Sequence, residues 1–187
     1  KEHLPTSIAR RLVNGDVVAA THSTEKAYES SLKAFIEGTR ALARCDHPAL
    51  VRVLHLHTGH GTAYRVMPWV VGDRLLERRY GMSRPPDESV LRALLDDLLG
   101  ALEAVHHAGI VHGGVDPSRV FLLRGDRPLL LAPRAIAEDV GGAPAGPWTD
   151  LRALADVARF CISGMAPTAD GQPVEPTARI VERLIFD

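Results

Sequence analysis

His112-Gly113-Gly114-Val115-Asp116-Pro117-Ser118-Arg119-Val120 lies between two elements that the sequence announces clearly. Upstream, Val90, Leu91, Leu94, Leu95, Leu98, Leu102 and Val105 recur at intervals of three and four, which predicts the strongest helix of the chain, ended by Ala108-Gly109. Downstream, residues 120–123 and 128–131 flank Arg124-Gly125-Asp126-Arg127, whose Gly-Asp content predicts a hairpin turn. The Arg-Gly-Asp tripeptide reads as that turn and not as an adhesion motif. The loop is defined chemically by what it omits. Gly114 has no group that can accept a proton, and the Arg119 guanidinium, itself a cation, cannot ligate a metal cation.

Composition narrows the setting. The chain has 187 residues, 45% of them hydrophobic, and a formal charge of -1, which suits one domain or a two-lobed fragment with a real core. Its 22 basic and 23 acidic residues are interspersed, so no footprint for a nucleic acid is visible. The longest apolar runs, such as residues 66–71, are far too short to cross a bilayer. Cys45 and Cys161 both fall in periodic apolar segments and read as buried thiols, which favours a reducing, cytoplasmic setting. A start at Lys1, with no Met, suggests a fragment or a processed form.

Further from the loop, Leu32, Phe35, Ile36, Leu42 and Ala43 predict an amphipathic helix within residues 23–44, stopped by Asp46-His47-Pro48. Residues 50–57 and 62–70 read as strands of a hairpin around Thr58-Gly59-His60-Gly61. After the glycine- and proline-rich segment 141–147, Thr149-Asp150 is expected to cap a helix bearing Leu151, Leu154, Val157, Ala158 and Cys161, which Gly164 stops. Residues 165–176 read as loop and residues 180–186 as a short amphipathic stretch. His55 and His57 share one strand face, but nothing nearby completes a metal site.

In order and spacing these pieces resemble a bacterial serine/threonine protein kinase. The likeness runs from Lys1-Glu2-His3-Leu4-Pro5 through Asp46-His47-Pro48, Thr62-Ala63-Tyr64-Arg65-Val66-Met67 and residues 105–112 to Gly146-Pro147-Trp148-Thr149-Asp150-Leu151. It implies an α+β, protein-kinase-like two-lobed fold, with a reduced N-lobe over residues 1–72, a truncated, mainly helical C-lobe over residues 73–187 and a shortened activation segment. On the family's H-R-D-x-K-P-x-N pattern the loop reads Gly114 for the catalytic Asp, Asp116 for the lysine and Arg119 for the metal-binding Asn. The D-F-G position reads Ala132-Pro133-Arg134. The helix glutamate, ten residues before Pro48, is Gly38, and Glu37 beside it is rotated off the cleft by roughly 100°. The third-strand lysine is Lys1; a rival alignment lays Val18-Ala19-Ala20-Thr21 on V-A-I-K and replaces the lysine by Thr21.

Proton abstraction by a base is worth about 10²–10⁴-fold, and the metal adds several kcal/mol of charge stabilisation, so their joint loss implies a degenerate, pseudokinase-like member that is not an enzyme. His112 and Asp150 are kept where the family supports its loop backbone, and Leu42, Val53, His112 and Pro133 fall on the spine joining the lobes. Phe121 stands where the family more often has a leucine under the adenine. The resemblance implies a scaffold or allosteric regulator in bacterial signalling. Its partner would be a kinase, a phosphatase or a fused signalling domain, with no catalytic residue, resident cofactor, metal or nucleic acid. Alternatives are an unorthodox phosphotransferase or nucleotidyl transferase drawing on Asp116, Asp126 and Asp139, a metal-independent nucleotide-sensing switch, and a decayed copy.

Overall fold

The computed structural model describes residues 1–133, 146–167 and 173–174. An N-terminal hairpin, β1 (Ala9–Arg11) and β2 (Val17–Ala19), precedes a long helix, α1 (Glu25–Leu42). Tyr28, Ser31, Phe35, Thr39 and Leu42 form the buried face of α1, a spacing of three and four that puts them on one side of a 3.6-residue helix. Next come the antiparallel pair β3 (His55–Gly59) and β4 (Thr62–Val66), then β5 (Asp73–Arg74), α2 (Leu75–Tyr80) and α3 (Glu88–His107). β6 (Val120–Leu122) lies between β5 and β7 (Pro128–Leu130) in a three-stranded sheet. α4 (Pro147–Ser163) and the short pair β8 (Ala166–Pro167) and β9 (Pro173–Val174) follow.

The main core gathers Leu94, Leu98, Leu102 and Val105 of α3, Leu154 and Val157 of α4, Val120 and Leu130 of the small sheet, and Leu42 at the end of α1. A smaller cluster, Ala9, Val17 and Tyr28, fixes the N-terminal hairpin on α1. Gly61 makes this second packing possible. Its φ of +68° is the left-handed conformation that side chains avoid, and a Cβ there would lie 2.3 Å from the Val17 carbonyl oxygen. Both cysteines are free, Cys161 buried and Cys45 half-buried. Among the described residues no helix is long and apolar enough to cross a membrane.

The periodic helices stand where the sequence puts them, and several local expectations change. The strand expected over residues 50–57 begins only at His55, because the preceding backbone is used elsewhere: Val51 N donates to Leu130 O at 2.9 Å and Leu130 N to Ala49 O at 2.7 Å. The hairpin β1–β2, the helix α2 and the β8–β9 pair were not expected; each is short or lacks a repeating apolar pattern. α4 starts at Pro147, with Gly146 as its N-cap, one turn before the expected Thr149-Asp150. Asp150 is therefore inside the helix and committed to another partner. Arg134, Asp139 and the stretch 180–186 lie outside the described residues.

Candidate functional site

The loop 110–119 is held from behind by α4. Asp150 is 1% exposed. Its Oδ2 accepts from the backbone N–H of His112 at 2.7 Å and lies 2.8 Å from His106 Nε2, while its Oδ1 accepts from the N–H of Gly113 at 2.8 Å. Two consecutive amides and a ring nitrogen thus converge on one carboxylate, and Gly113 turns away from it through φ +61°. A left-handed residue beside paired amides is a backbone arrangement that glycine adopts without penalty.

His112 is fully buried and hydrogen-bonded through Nε2 to Leu131 O at 2.7 Å. The carbonyl partner assigns the proton to Nε2, and Nδ1 has no partner among the described residues. Burial is the largest influence on this ring and pushes its pKa down to about 4, against smaller raising effects of the Leu131 carbonyl and Asp150. At neutral pH the ring is a neutral strut between the loop and the strand end at Leu131.

Asp116 faces its own loop. It caps the 3-10 turn Pro117–Arg119, and its Oδ1 accepts from Ser118 N at 2.8 Å and from the Ser118 hydroxyl. Arg119 donates through Nη2 to the carbonyl of Ala132, and Leu131 N donates to Arg119 O at 3.0 Å, so the loop and the strand that leaves β7 are tied at two points. Gly114 adds no side chain between them. Gly38, on α1, has open space where a Cβ would be, and Glu37 reaches instead toward Lys33 on the outer face of α1, 4.0 Å away. Lys1-Glu2 runs beside β4: Arg65 N donates to Lys1 O at 2.7 Å and Glu2 bridges Tyr64. Val18 and Ala19, the first two residues that the rival alignment lays on V-A-I-K, lie in β2, which pairs with Ala9–Arg11. Phe121 is half-buried in β6, with the Arg74 guanidinium carbon 5.9 Å from its ring centre.

Three residues that bind this region together were missed in the sequence. Arg65 is a buried arginine in a strand that otherwise reads as apolar, Arg79 is a buried arginine in the short helix α2, and Thr39 is a fully buried hydroxyl on the inner face of α1. The available signal for Arg65 was its register: in β4 the inward positions are Ala63 and Arg65, and a period-two strand calls for an apolar residue at both. The histidines of β3 are exposed, and no group of three or more metal-ligating side chains occurs among the described residues.

Comparison with known proteins places this arrangement. No family model matches the chain. The serine/threonine-protein kinase PkaB of Streptomyces coelicolor is 28% identical over 169 residues, covering 74% of this chain and 40% of that protein. The serine/threonine-protein kinase PknK of Mycobacterium tuberculosis is 31% identical over 142 residues, 74% of this chain and 12% of that protein. Pkn2 of Myxococcus xanthus, also named a serine/threonine-protein kinase, is 29% identical over 110 residues, 59% of this chain and 13% of that protein. A solved structure titled PpkA-294 apo form superposes with a TM-score of 0.71 at 29% identity, over 100% of this chain and 69% of the other. The chain belongs to the serine/threonine protein kinase family.

The fold is accordingly a reduced kinase-like α+β fold. This family membership corrects one expectation. The sequence reading took the chain to be no enzyme; its relatives are named serine/threonine kinases, so it is a distant, partial member of an enzyme family. The chain spans well under half the length of these curated relatives, 40%, 12% and 13% respectively. At the two positions where the resemblance leads one to expect metal ligands, the side chains are of other kinds. Arg119 brings a guanidinium and Ala132 a methyl, and the Asp116 Oδ1 that points into the loop is already held by Ser118.

Proposed function

We propose that this kinase-family domain serves bacterial signalling as a protein-binding module, a scaffold or allosteric regulator, built from an N-lobe over residues 1–72 and a C-lobe over residues 73–187. Its partner is a kinase, a phosphatase or a signalling domain on the same polypeptide. One observation carries the reading: Asp150 accepts from the two loop amides of His112 and Gly113 at 2.7 and 2.8 Å, and the His112 ring ties the loop to Leu131 O at 2.7 Å, while the side chains of Gly114, Arg119 and Ala132 offer neither a proton acceptor nor an oxygen ligand. A pre-ordered loop lowers the cost of docking a partner, and its amides are held here by Asp150.

The names of the relatives favour a second reading, phosphotransfer by an unorthodox residue set in the same cleft. Three measurements on the full-length protein separate the two. Proximity labelling in the native host, followed by reconstitution with the purified partner, is expected to give a stoichiometric complex whose partner changes activity on binding. Thermal-shift titration with ATP plus magnesium, manganese or chelator reports whether nucleotide stabilises the fold, and labelled ATP reports transfer. Failure to find a regulated partner, together with phosphate transfer lost in Lys1→Ala or Asp116→Asn, overturns the binding reading and establishes the second.

A further inference from the structure

Arg65 is 2% exposed, yet it carries a cationic side chain in β4. Its Nε donates to Thr39 Oγ1 of α1 at 3.0 Å, and its Nη1 reaches Pro133 O, beyond β7, at 3.4 Å. Its guanidinium carbon lies 5.0 Å from the centre of the Phe35 ring, one helical turn before Thr39 on the same face of α1. One side chain from β4 therefore touches α1 at two successive buried positions and the segment after β7 at a third. The adjoining carbonyl, Ala132 O, accepts from Arg119. Consecutive carbonyls at the exit of β7 are thus held by two arginines, one from the N-terminal sheet and one from the loop.

This arrangement is unfavourable unless its geometry is used. Burial and the neighbouring Arg119 push the Arg65 pKa down to about 10, so the guanidinium stays charged at neutral pH in a poorly solvated place. A leucine would fill similar space without that desolvation. What leucine lacks is a planar fork of five donors able to reach a hydroxyl on one element and a carbonyl on another while stacking on an aromatic ring.

We propose that Arg65 is an internal latch: it couples α1 to the Ala132–Pro133 segment, so that the position of α1 over the cleft is set from within the fold. Gly38, one residue before Thr39, has open space where a Cβ would be, and the latch supplies the connection on the buried side of the same turn. It acts through Thr39 and Pro133, as a positioning residue, and does not depend on the partner-binding reading above.

Hydrogen exchange on the full chain tests it, with Arg65→Leu, Thr39→Val and the double variant. The latch predicts that Arg65→Leu speeds exchange about tenfold or more in peptides covering residues 35–42 and also in those covering 128–133, while α3 and α4 keep their protection. Thr39→Val is expected to loosen only the α1 peptide, and the double variant to match Arg65→Leu alone, because the α1 arm runs through the arginine. Should Arg65→Leu fail to fold, Arg65→Lys replaces it: it keeps the charge and loses the fork, so exchange must again speed up in both segments. Unchanged exchange in either segment, or a uniform increase that includes α3 and α4, overturns the proposal.

Discussion

Replacing Asp150 by asparagine tests how the loop is held. Asp150 offers two oxygens to three donors: His112 N at 2.7 Å and His106 Nε2 at 2.8 Å on Oδ2, and Gly113 N at 2.8 Å on Oδ1. Asparagine has the same shape but only one acceptor oxygen. Whichever way its amide is turned, an NH₂ group faces a backbone N–H that is already buried. Hydrogen bonds to a charged acceptor contribute about 1.5–3 kcal/mol each, and an orphaned buried donor costs about 1–3 kcal/mol, so Asp150→Asn is expected to destabilise the domain by about 3–5 kcal/mol. At about 2–4 °C per kcal/mol for a domain of this size, the melting temperature should fall by roughly 6–20 °C. Urea denaturation gives the free energy, and hydrogen exchange at the amides of His112 and Gly113 localises it. Asp156→Asn provides the control: it lies on the same helix in an exposed pair with Arg159 at 3.0 Å, where the expected effect is below about 1 kcal/mol. A loss for Asp150→Asn no larger than that of the control, or unchanged protection of the two amides, would show that the carboxylate does not hold the loop.

Other consequences follow from the same packing. His112 is depressed from 6.5 to about 4, so its contribution to stability is fully present above pH 6.5 and is lost as the pH falls toward 4, where the unfolded chain takes up a proton that the native ring refuses. At about 1.4 kcal/mol per unit the loss approaches about 3 kcal/mol, and His112→Gln should flatten that part of the stability profile; parallel wild-type and variant curves would contradict the assignment. Gly61→Ala forces a left-handed φ on alanine and drives its Cβ against the Val17 carbonyl, so a loss of about 2–3 kcal/mol is expected, with exchange rising first in residues 9–19. Arg79 is 8% exposed and donates to Cys161 O at 2.7 Å, Ile162 O at 3.2 Å and Met82 O at 3.3 Å, closing the last turn of α4; Arg79→Met should cost about 2–4 kcal/mol by denaturation and fray α4 from its C-terminal end. An Arg79→Met protein with α4 protection intact would show that those carbonyls do not depend on the guanidinium.

Much of the architecture was legible because burial writes itself into spacing. The apolar positions of α1, α3 and α4 repeat every three or four residues, and Gly164 ends α4 with φ +73° as the sequence leads one to expect. The hairpin around Gly125 was equally plain, since a turn is a local event that needs particular residue types. Asp150 has two readings in the sequence, a helix cap by local pattern and a support of the loop backbone by the kinase resemblance. As a helix-capping type near a helix start it suggested a cap, whereas two loop amides from a segment 37 and 38 residues away claim its oxygens.

Sequence alone therefore determined the helices, the turn and the kinase-like order of the pieces. Only the tertiary structure decided which polar group closes on which: Arg65 on Thr39 and Pro133, 26 and 68 residues away, and Arg79 on Cys161, 82 residues away. The reason is geometric. Periodicity reports how a side chain sits relative to the axis of its own element, and that is fixed by a few neighbours along the chain. A buried donor's partner is chosen by which carbonyl or hydroxyl the packing of separate elements brings within about 3 Å, and no local pattern encodes that distance.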